Sequence, residues 1–291
     1  MSAIAIKELT KYYGKDLGIE DVSLNVEEGE VFGFIGPNGS GKSTTIRTLL
    51  GLLKPTSGSA SMMGLDVVSQ GHELRKKVGY LPSEVNYYDD MSAKELLEYH
   101  SRFYENRSDN DIKTLAEMFE LDLNKSFSDL SFGNKKKCGI IQCVLHKPDI
   151  IILDEPTSGL DPLMQNRFFE LLESENKRGA TIFFSSHILS EVQRMCEKAA
   201  IIREGKIIAI EDIKELLKKQ MKKCMVNFIE KPSDLNFPEG VQNLRWIKNK
   251  VNFEYVGHVS NLLGWLSNQK VQDVIMEEPD LESIFMNYYE R

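Results

Sequence analysis

The stretch that most constrains this chain is GPNGSGKST, residues 36 to 44, which directly follows the apolar run Val31 to Ile35. Gly36, Gly41, Lys42 and Ser43 fill the pattern G-x-x-x-x-G-K-[ST]. Gly36, Gly39 and Gly41 let the backbone turn tightly enough for successive amide N–H groups to converge on one point, as the β-phosphate of a nucleotide requires. Lys42 then reaches the β- and γ-phosphates, and the Ser43 hydroxyl can ligate Mg²⁺. Thr44 to Leu53 has helical spacing, with Ile46, Leu49, Leu50 and Leu53 on one side, so the positive end of a helix also faces the anion. Strand, loop and helix stand in the order that phosphate binding needs.

Upstream, Ala3 to Leu9 alternates apolar and polar residues, as does Val22 to Val26 ahead of the Glu28-Gly29 turn, which predicts a short β-rich layer. Tyr12, Tyr13 and Gly14 follow its first strand. An aromatic ring there either stacks on adenine, with little base discrimination, or is an exposed turn tyrosine. Beyond the loop helix come a turn at Lys54 to Ser59, a short strand at Ala60 to Met63, and strand-like VGYL ending at Leu81. Ser92 opens a capping box completed by Glu95, and the helix behind it carries Leu96, Leu97, His100, Phe103 and Tyr104. Further helices at Ile112 to Phe119 and Gly133 to His146 complete a helical insertion, about residues 83–146, between two sheet segments.

The sheet resumes with Asp149 to Asp154, DIIILD, a continuous apolar run of the kind found in strands buried on both faces. Asp154 ends that strand and Glu155 follows it. In a phosphate-loop ATPase a carboxylate at this strand end holds Mg²⁺ and a second polarises the attacking water. Asp154 is therefore assigned to the metal and Glu155 to the general base. Thr181 to Ser186 reads as another buried strand and ends at His187, which is either structural or within reach of a γ-phosphate.

With these motifs in this order, roughly residues 3–215 resemble the nucleotide-binding subunit of an ATP-binding cassette transporter. GPNGSGKST is similar to Walker A, IILDEP to Walker B, SGLDP with Asp161 to the D-loop, SSH with His187 to the switch histidine, and Tyr13 to the adenine-stacking aromatic. The resemblance implies ATP and Mg²⁺, with nucleotide contacts from Tyr13, Gly36, Asn38, Gly39, Ser40, Gly41, Lys42, Ser43, Thr44 and Asp161. It implies catalysis by Glu155, His187 and Lys42, and metal contacts at Ser43, Asp154 and position 83. Two segments depart from the family. Ser83, in LPSE, stands where the family usually has a glutamine, and is too short to span the same distance. LSFGN, residues 130–134, stands where it has LSGGQ: Ser131 and Gly133, which in the family bind the other subunit's γ-phosphate, are retained, while Phe132 adds bulk and restricts the backbone. The implied partners are a second nucleotide-binding subunit, as a homodimer, and an integral membrane permease on the helical insertion. Tyr87 and Tyr88 are either a contact with that permease or local packing.

The expected fold is α/β: a P-loop NTPase core with the β-rich layer and the insertion, residues 1–220, and a small α+β domain, residues 221–291. That tail is read as strands at Cys224 to Ile229, Leu244 to Ile247, Val251 to Tyr255 and Val271 to Met276, with helices at Asp212 to Lys219, Val259 to Asn268 and Leu281 to Tyr289. It resembles the extension on drug, antibiotic-peptide and polysaccharide exporter ATPases, most of all in EEPDLESIF, residues 277–285. No run approaches 18 apolar residues and no secretory signal opens the sequence, so the expected place is the cytosol, peripheral on the cytoplasmic face of the membrane. The net charge of −8 argues against a nucleic-acid platform, and Lys135 to Lys137 and Lys218 to Lys223 read as solvated helix surface. Cys138, Cys143, Cys196 and Cys224 never form C-x-x-C, and are expected as reduced, mostly buried thiols. Two other functions stay open. One is a soluble cassette ATPase acting on nucleic acid or ribosomes, though such chains usually carry two cassettes or long coiled-coil insertions. The other is a weakly hydrolysing, nucleotide-sensing partner of a second cassette, favoured by Ser83 and Phe132 and opposed by Lys42, Glu155 and His187.

Overall fold

Alternating side chains produce the opening hairpin: β1 (Ser2–Tyr13) pairs antiparallel with β2 (Asp16–Glu27) and buries Ile4, Ile6, Leu9, Val22, Leu24 and Val26. The computed structural model describes residues 2–87, 90–104, 109–213, 215, 222–230, 232 and 235–277. β1 continues past the expected Leu9 because pairing persists to Tyr13 opposite Asp16. β3 (Val31–Ile35) is wholly buried and leads through the glycine loop into α1 (Lys42–Leu49). That helix stops short of the expected Leu53, since Gly51 takes φ 68° and the chain turns away. β4 (Ser57–Met62) pairs antiparallel with β1, and β5 (Leu65–Asp66) completes a four-stranded layer ordered β2-β1-β4-β5. α2 (Gly71–Arg75) then leads to β6 (Val78–Leu81).

The insertion holds α3 (Ala93–Ser101), α4 (Asp109–Met118) and α5 (Phe132–Val144). Both arms of the expected capping box form: the Ser92 hydroxyl accepts from the Glu95 amide at 3.2 Å, and the Glu95 carboxylate accepts from the Ser92 amide at 2.8 Å. Tyr87 packs edge-on against Phe127 with ring centroids 5.1 Å apart, whereas Tyr88 lies outside the described residues. One expectation is overturned in α5. Lys135 and Lys137 are half-buried, but Lys136, read as solvated surface, is 1% exposed, because the buried face of the helix carries it inward with Cys138, Gly139 and Ile140.

The chain returns to the sheet with β7 (Ile150–Asp154), α6 (Pro162–Lys177), β8 (Thr181–Ser186), α7 (Leu189–Met195), β9 (Lys198–Arg203) and β10 (Lys206–Asp212). The six-stranded sheet is ordered β10-β9-β3-β8-β7-β6, with β3 parallel to β8 and β9, and β7 parallel to β6 and β8. Its register sets Ile35 opposite Ser186 and Asp154 opposite Ser185, so the carboxyl ends of β3, β7 and β8 meet at one edge. In open parallel sheets that edge is where ligands bind. Between the two sheets α1 buries Ile46 and Leu49 with Ile4, Ile6, Phe32, Phe34 and Phe183. Each such side chain contributes roughly 1.5–3 kcal/mol. The β9–β10 turn places Glu204 and Gly205 at φ 49° and 79°, as a two-residue hairpin requires. The Gly205 amide donates to the Ser40 carbonyl at 2.9 Å and its carbonyl accepts from Glu20 at 2.8 Å, which braces the phosphate loop from outside.

The chain divides into two compact units, Met1–Glu211 and Asp212–Arg291. In the second, β11 (Lys222–Phe228), β12 (Val241–Ile247), β13 (Lys250–Tyr255), α8 (Val259–Ser267) and β14 (Val271–Glu277) form an antiparallel sheet ordered β12-β13-β11-β14. Cys224, Val226, Phe228, Val251, Phe253 and Tyr255 make its core with Leu262 and Leu266. Lys222 and Lys223, read as helix surface, belong instead to β11, where they pair with Tyr255 and Glu254 of β13. The rest of that basic run, residues 218–221, lies outside the described residues, as do the expected helix at Leu281 to Tyr289, most of the one at Asp212 to Lys219 and most of EEPDLESIF. All four cysteines are free and buried, and burial pushes the Cys138 thiol up to about 12.

Candidate active site

Gly41 adopts φ 110° at the start of α1, and no side chain caps that helix. Its first amide groups are left for a ligand's oxygens, at the positive end of the helix. Gly36 admits no larger residue, because a Cβ there would run into the Ile202 carbonyl and the Ser40 hydroxyl. Ser40 itself is buried, so among the loop residues it acts through its backbone. The Lys42 ammonium, 4% exposed, donates to the Gly36 carbonyl at 2.7 Å and the Pro37 carbonyl at 3.1 Å, and pairs with Glu155 Oε1 at 3.3 Å.

A pocket of about 260 Å³ opens here. Its walls take Asn38, Gly39, Gly41, Lys42, Ser43 and Thr44 from the loop and α1, and Glu155 from the end of β7. Tyr13, Leu17 and Gly18 come from the opening hairpin. Tyr13 is partly exposed, its hydroxyl 3.3 Å from Thr44 Oγ1, with the Lys11 ammonium 5.5 Å from its ring centroid. Leu17 and Gly18 escape sequence reasoning because no spacing marks them. A Cβ at Gly18 would stand 2.8 Å from the Tyr13 ring and 3.1 Å from the Thr44 methyl, so glycine sets how closely ring and loop approach.

Asp154 is buried at the end of β7; its Oδ1 accepts from Ser185 at 2.8 Å, while Oδ2 has no protein partner. A buried, unpaired carboxylate oxygen carries a desolvation cost that a cation offsets. Among the described residues no three His, Cys, Asp or Glu side chains converge on a metal. A donor set of one hydroxyl and one carboxylate suits Mg²⁺, which takes one or two protein ligands and completes its shell with phosphate and water. Ser43, a pocket wall, and Asp154, which precedes the wall residue Glu155 and keeps an unpartnered buried Oδ2, fit that role; neither Asp154 nor Ser83 is itself among the pocket walls.

Glu155 sits at φ 47°, a left-handed conformation costing about 1–3 kcal/mol for a residue with a side chain. Its amide donates to the Ser185 carbonyl at 3.2 Å and its carbonyl accepts from Lys136 at 3.1 Å. Its Oε1 stands 3.3 Å from Lys42 Nζ and 3.3 Å from His187 Nδ1. Behind it, the buried Glu191 carboxylate accepts from the hydroxyls of Thr157 at 2.5 Å and Ser186 at 2.8 Å, tying the chain after β7 to the end of β8.

Of the predicted residues outside these walls, Gly36, Ser40, Asp154 and His187 adjoin the loop or Glu155, whereas Ser83, Ser131, Gly133 and Asp161 belong to other segments. The Ser131 hydroxyl caps α5 by accepting from the Asn134 amide at 3.3 Å, and the Asp161 carboxylate caps α6 by accepting from Leu163 and Met164, both at 3.0 Å. Neither they nor Gly133 line the pocket. Phe132 is 53% exposed and opens α5 with ordinary helical backbone, and the covered side of its ring lies over Gly159, which has no Cβ to collide with it. Ser83 is held through its carbonyl, which accepts from Lys136 at 2.9 Å. Burial pushes the Lys136 ammonium down to about 8, against the pull of the Asp154 and Glu155 carboxylates.

Residues 19–158 match the family described as ABC transporter. The chain is 38% identical over 208 residues to the bacitracin transport ATP-binding protein BcrA of Bacillus licheniformis, covering 70% of this chain and 68% of that one. It is 33% identical over 296 residues to the ABC transporter ATP-binding protein YhaQ of Bacillus subtilis, covering 97% of each. The chain belongs to the ABC transporter ATP-binding proteins. A solved dimeric structure of MJ0796, a bacterial ABC transporter cassette, superimposes on this ABC protein with TM-score 0.66 and 26% identity, over 72% of this chain and 98% of that one. As an ABC ATP-binding protein the chain binds and hydrolyses ATP, and among its described residues no helix is long and apolar enough to cross a membrane.

Proposed function

We propose that this chain is the ATP-driven motor of a separate membrane permease, working on its cytoplasmic face as half of a head-to-tail homodimer. The observation that carries the reading is the division of the site. The loop, Glu155 and His187 converge, with Lys42 Nζ and His187 Nδ1 each 3.3 Å from Glu155 Oε1, whereas Ser131 and Gly133 stand at the start of α5, apart from that cluster and from the pocket walls. A second copy supplies that helix start to the γ-phosphate, and Asp161 meets the same interface. Asn38, Gly39, Ser40, Gly41 and Thr44 cradle the phosphates while Tyr13 stacks on adenine.

Phosphate oxygens displace the Glu155 carboxylate from Lys42, and Oε1 is released to take a proton from the attacking water, with His187 orienting it. Ser43 and Asp154 would hold a Mg²⁺, which would supply charge neutralisation at the phosphates when bound. General-base catalysis of this kind contributes roughly 10²- to 10⁴-fold. Loss of the γ-phosphate loosens the pair, a rigid-body movement that the permease feels. The permease's seat is the pocket of about 250 Å³ lined by Leu50, Leu52, Tyr80, His100 and Tyr104, with Leu52 exposed, an apolar surface suited to a short amphipathic helix. Likeness to a bacitracin transport protein supports an exported drug- or antibiotic-class cargo. Residues 1–220 form the cassette in this reading and 221–291 an accessory domain that supports pairing.

The test is ATP turnover per subunit against protein concentration, with Glu155→Gln as background. A specific rate that climbs with concentration is expected. A flat, background rate would favour a weakly hydrolysing subunit that needs a different cassette beside it.

A further inference from the structure

Lys136 is the one residue in the described cassette whose charged side chain is buried away from the pocket walls yet bonded to the backbone of the catalytic strand end. Its ammonium donates to the carbonyls of Pro82 at 2.9 Å, Ser83 at 2.9 Å and Glu155 at 3.1 Å. All three donors are therefore spent, and they join three parts of the chain: the segment after β6, the residue after β7, and the second turn of α5. Burying an ammonium carries a desolvation cost, and a bare hydrophobic contact would hold α5 without it. What the ammonium adds is direction, since each carbonyl must point at one nitrogen.

We propose that Lys136 is a positioning residue for ATP hydrolysis: it ties the helix that begins at Ser131 to the backbone that aims the Glu155 carboxylate. The proposal rests on the reading of Glu155 as general base. The peptide following Glu155 is fixed by Lys136, the amide preceding it by Ser185, and between them φ is held at 47°. Turning that peptide swings the Glu155 side chain away from the point where Oε1 now stands between Lys42 and His187. The same ammonium reaches the segment where Ser83 has no long side chain to make a connection of its own. When Ser131 and Gly133 engage a nucleotide held by the second copy, any shift of α5 is delivered through Lys136 to both segments. A contact across the pair thereby governs the catalytic carboxylate.

The experiment compares Lys136→Met, which keeps the stem and removes the donors, with wild type and Glu155→Gln. Three quantities are read: ATP affinity by equilibrium binding of a fluorescent analogue, ATP-dependent pairing by sizing of each variant in the Glu155→Gln background, and kcat separately from KM. Nucleotide affinity and pairing within about threefold of wild type are expected, with kcat down roughly tenfold to a hundredfold, the scale of a small misplacement of a reacting group. Lys136→Gln, which retains two donors, is expected to recover part of the rate, and it is the variant to read if the methionine chain does not fold. A kcat within twofold of wild type overturns the proposal, and so does a parallel fall in affinity, pairing and melting temperature, which marks a structural lysine only. Undiminished turnover in Glu155→Gln is a different failure, that of the base assignment itself.

Discussion

α1 starts at Gly41 in the left-handed region with no side chain capping it, whereas α5 starts at Ser131, whose hydroxyl takes the Asn134 amide at 3.3 Å. Both are helix N-termini of the kind that binds phosphate. The first is finished: Lys42 is buried beside it, the pocket closes around it, and Gly205 braces it from behind. The second is satisfied by its own serine, so it loses little by waiting. One helix start is left open for a ligand; in the proposed pair the other would meet a nucleotide already held.

The largest test of that difference is removal of divalent metal. Chelation with EDTA is expected to bring phosphate release to background, because Ser43 and Asp154 then have no cation to share with the phosphates. Next comes Glu155→Gln, expected to lower turnover roughly 10²- to 10⁴-fold while ATP binding persists. Ser131→Ala should act more weakly and elsewhere. Loss of a hydrogen bond to a charged group, worth about 1.5–3 kcal/mol, corresponds to roughly tenfold to a hundredfold in turnover. Loss of the cap costs about 1 kcal/mol of stability, readable in a melting curve. Equilibrium binding of ATP to the dilute subunit should not change, and a large loss there would erase the distinction between the loops.

The smallest effect concerns how α5 is anchored at its far end. Gln142 bonds His100 at 3.0 Å, and His146 stacks on Tyr104 with centroids 4.0 Å apart. Burial lowers both histidines from 6.5 to about 4. A base depressed in the folded state stabilises the fold above its unfolded value and loses that contribution as pH falls. Unfolding midpoints in urea should therefore drop between about pH 6.5 and 4, and less so in His146→Phe. An equal slope in that variant would remove the histidine from the account.

The phosphate loop was legible because its meaning is local: strand, glycines, lysine and helix are contiguous, and the structure places Val31–Ile35 as read. The same holds for Thr181–Ser186 and the Ser92 capping box. Lys136 was not legible, since a run of three lysines looks the same on a solvated face as over three carbonyls drawn from distant segments. α6 escaped too: Asp161 and Pro162 carry a strong start signal, but the SGLDP motif draws attention to the loop and away from the helix it opens. Leu17 and Gly18 became pocket walls only when pairing folded β2 back beside α1.

The Gly205 brace also sets an order in time. A ribosome delivers the phosphate loop long before it delivers the β9–β10 turn, and β3 lacks both sheet neighbours, β8 and β9, until that region has emerged. At about 5–20 residues per second the interval is on the order of ten seconds. During it the nascent chain carries the complete binding motif without the scaffold that shapes it. A stalled chain ending before Thr181 should therefore pass through an ATP-agarose column unretained, and the cell's nucleotide pool should first engage this protein only when the cassette is nearly all translated.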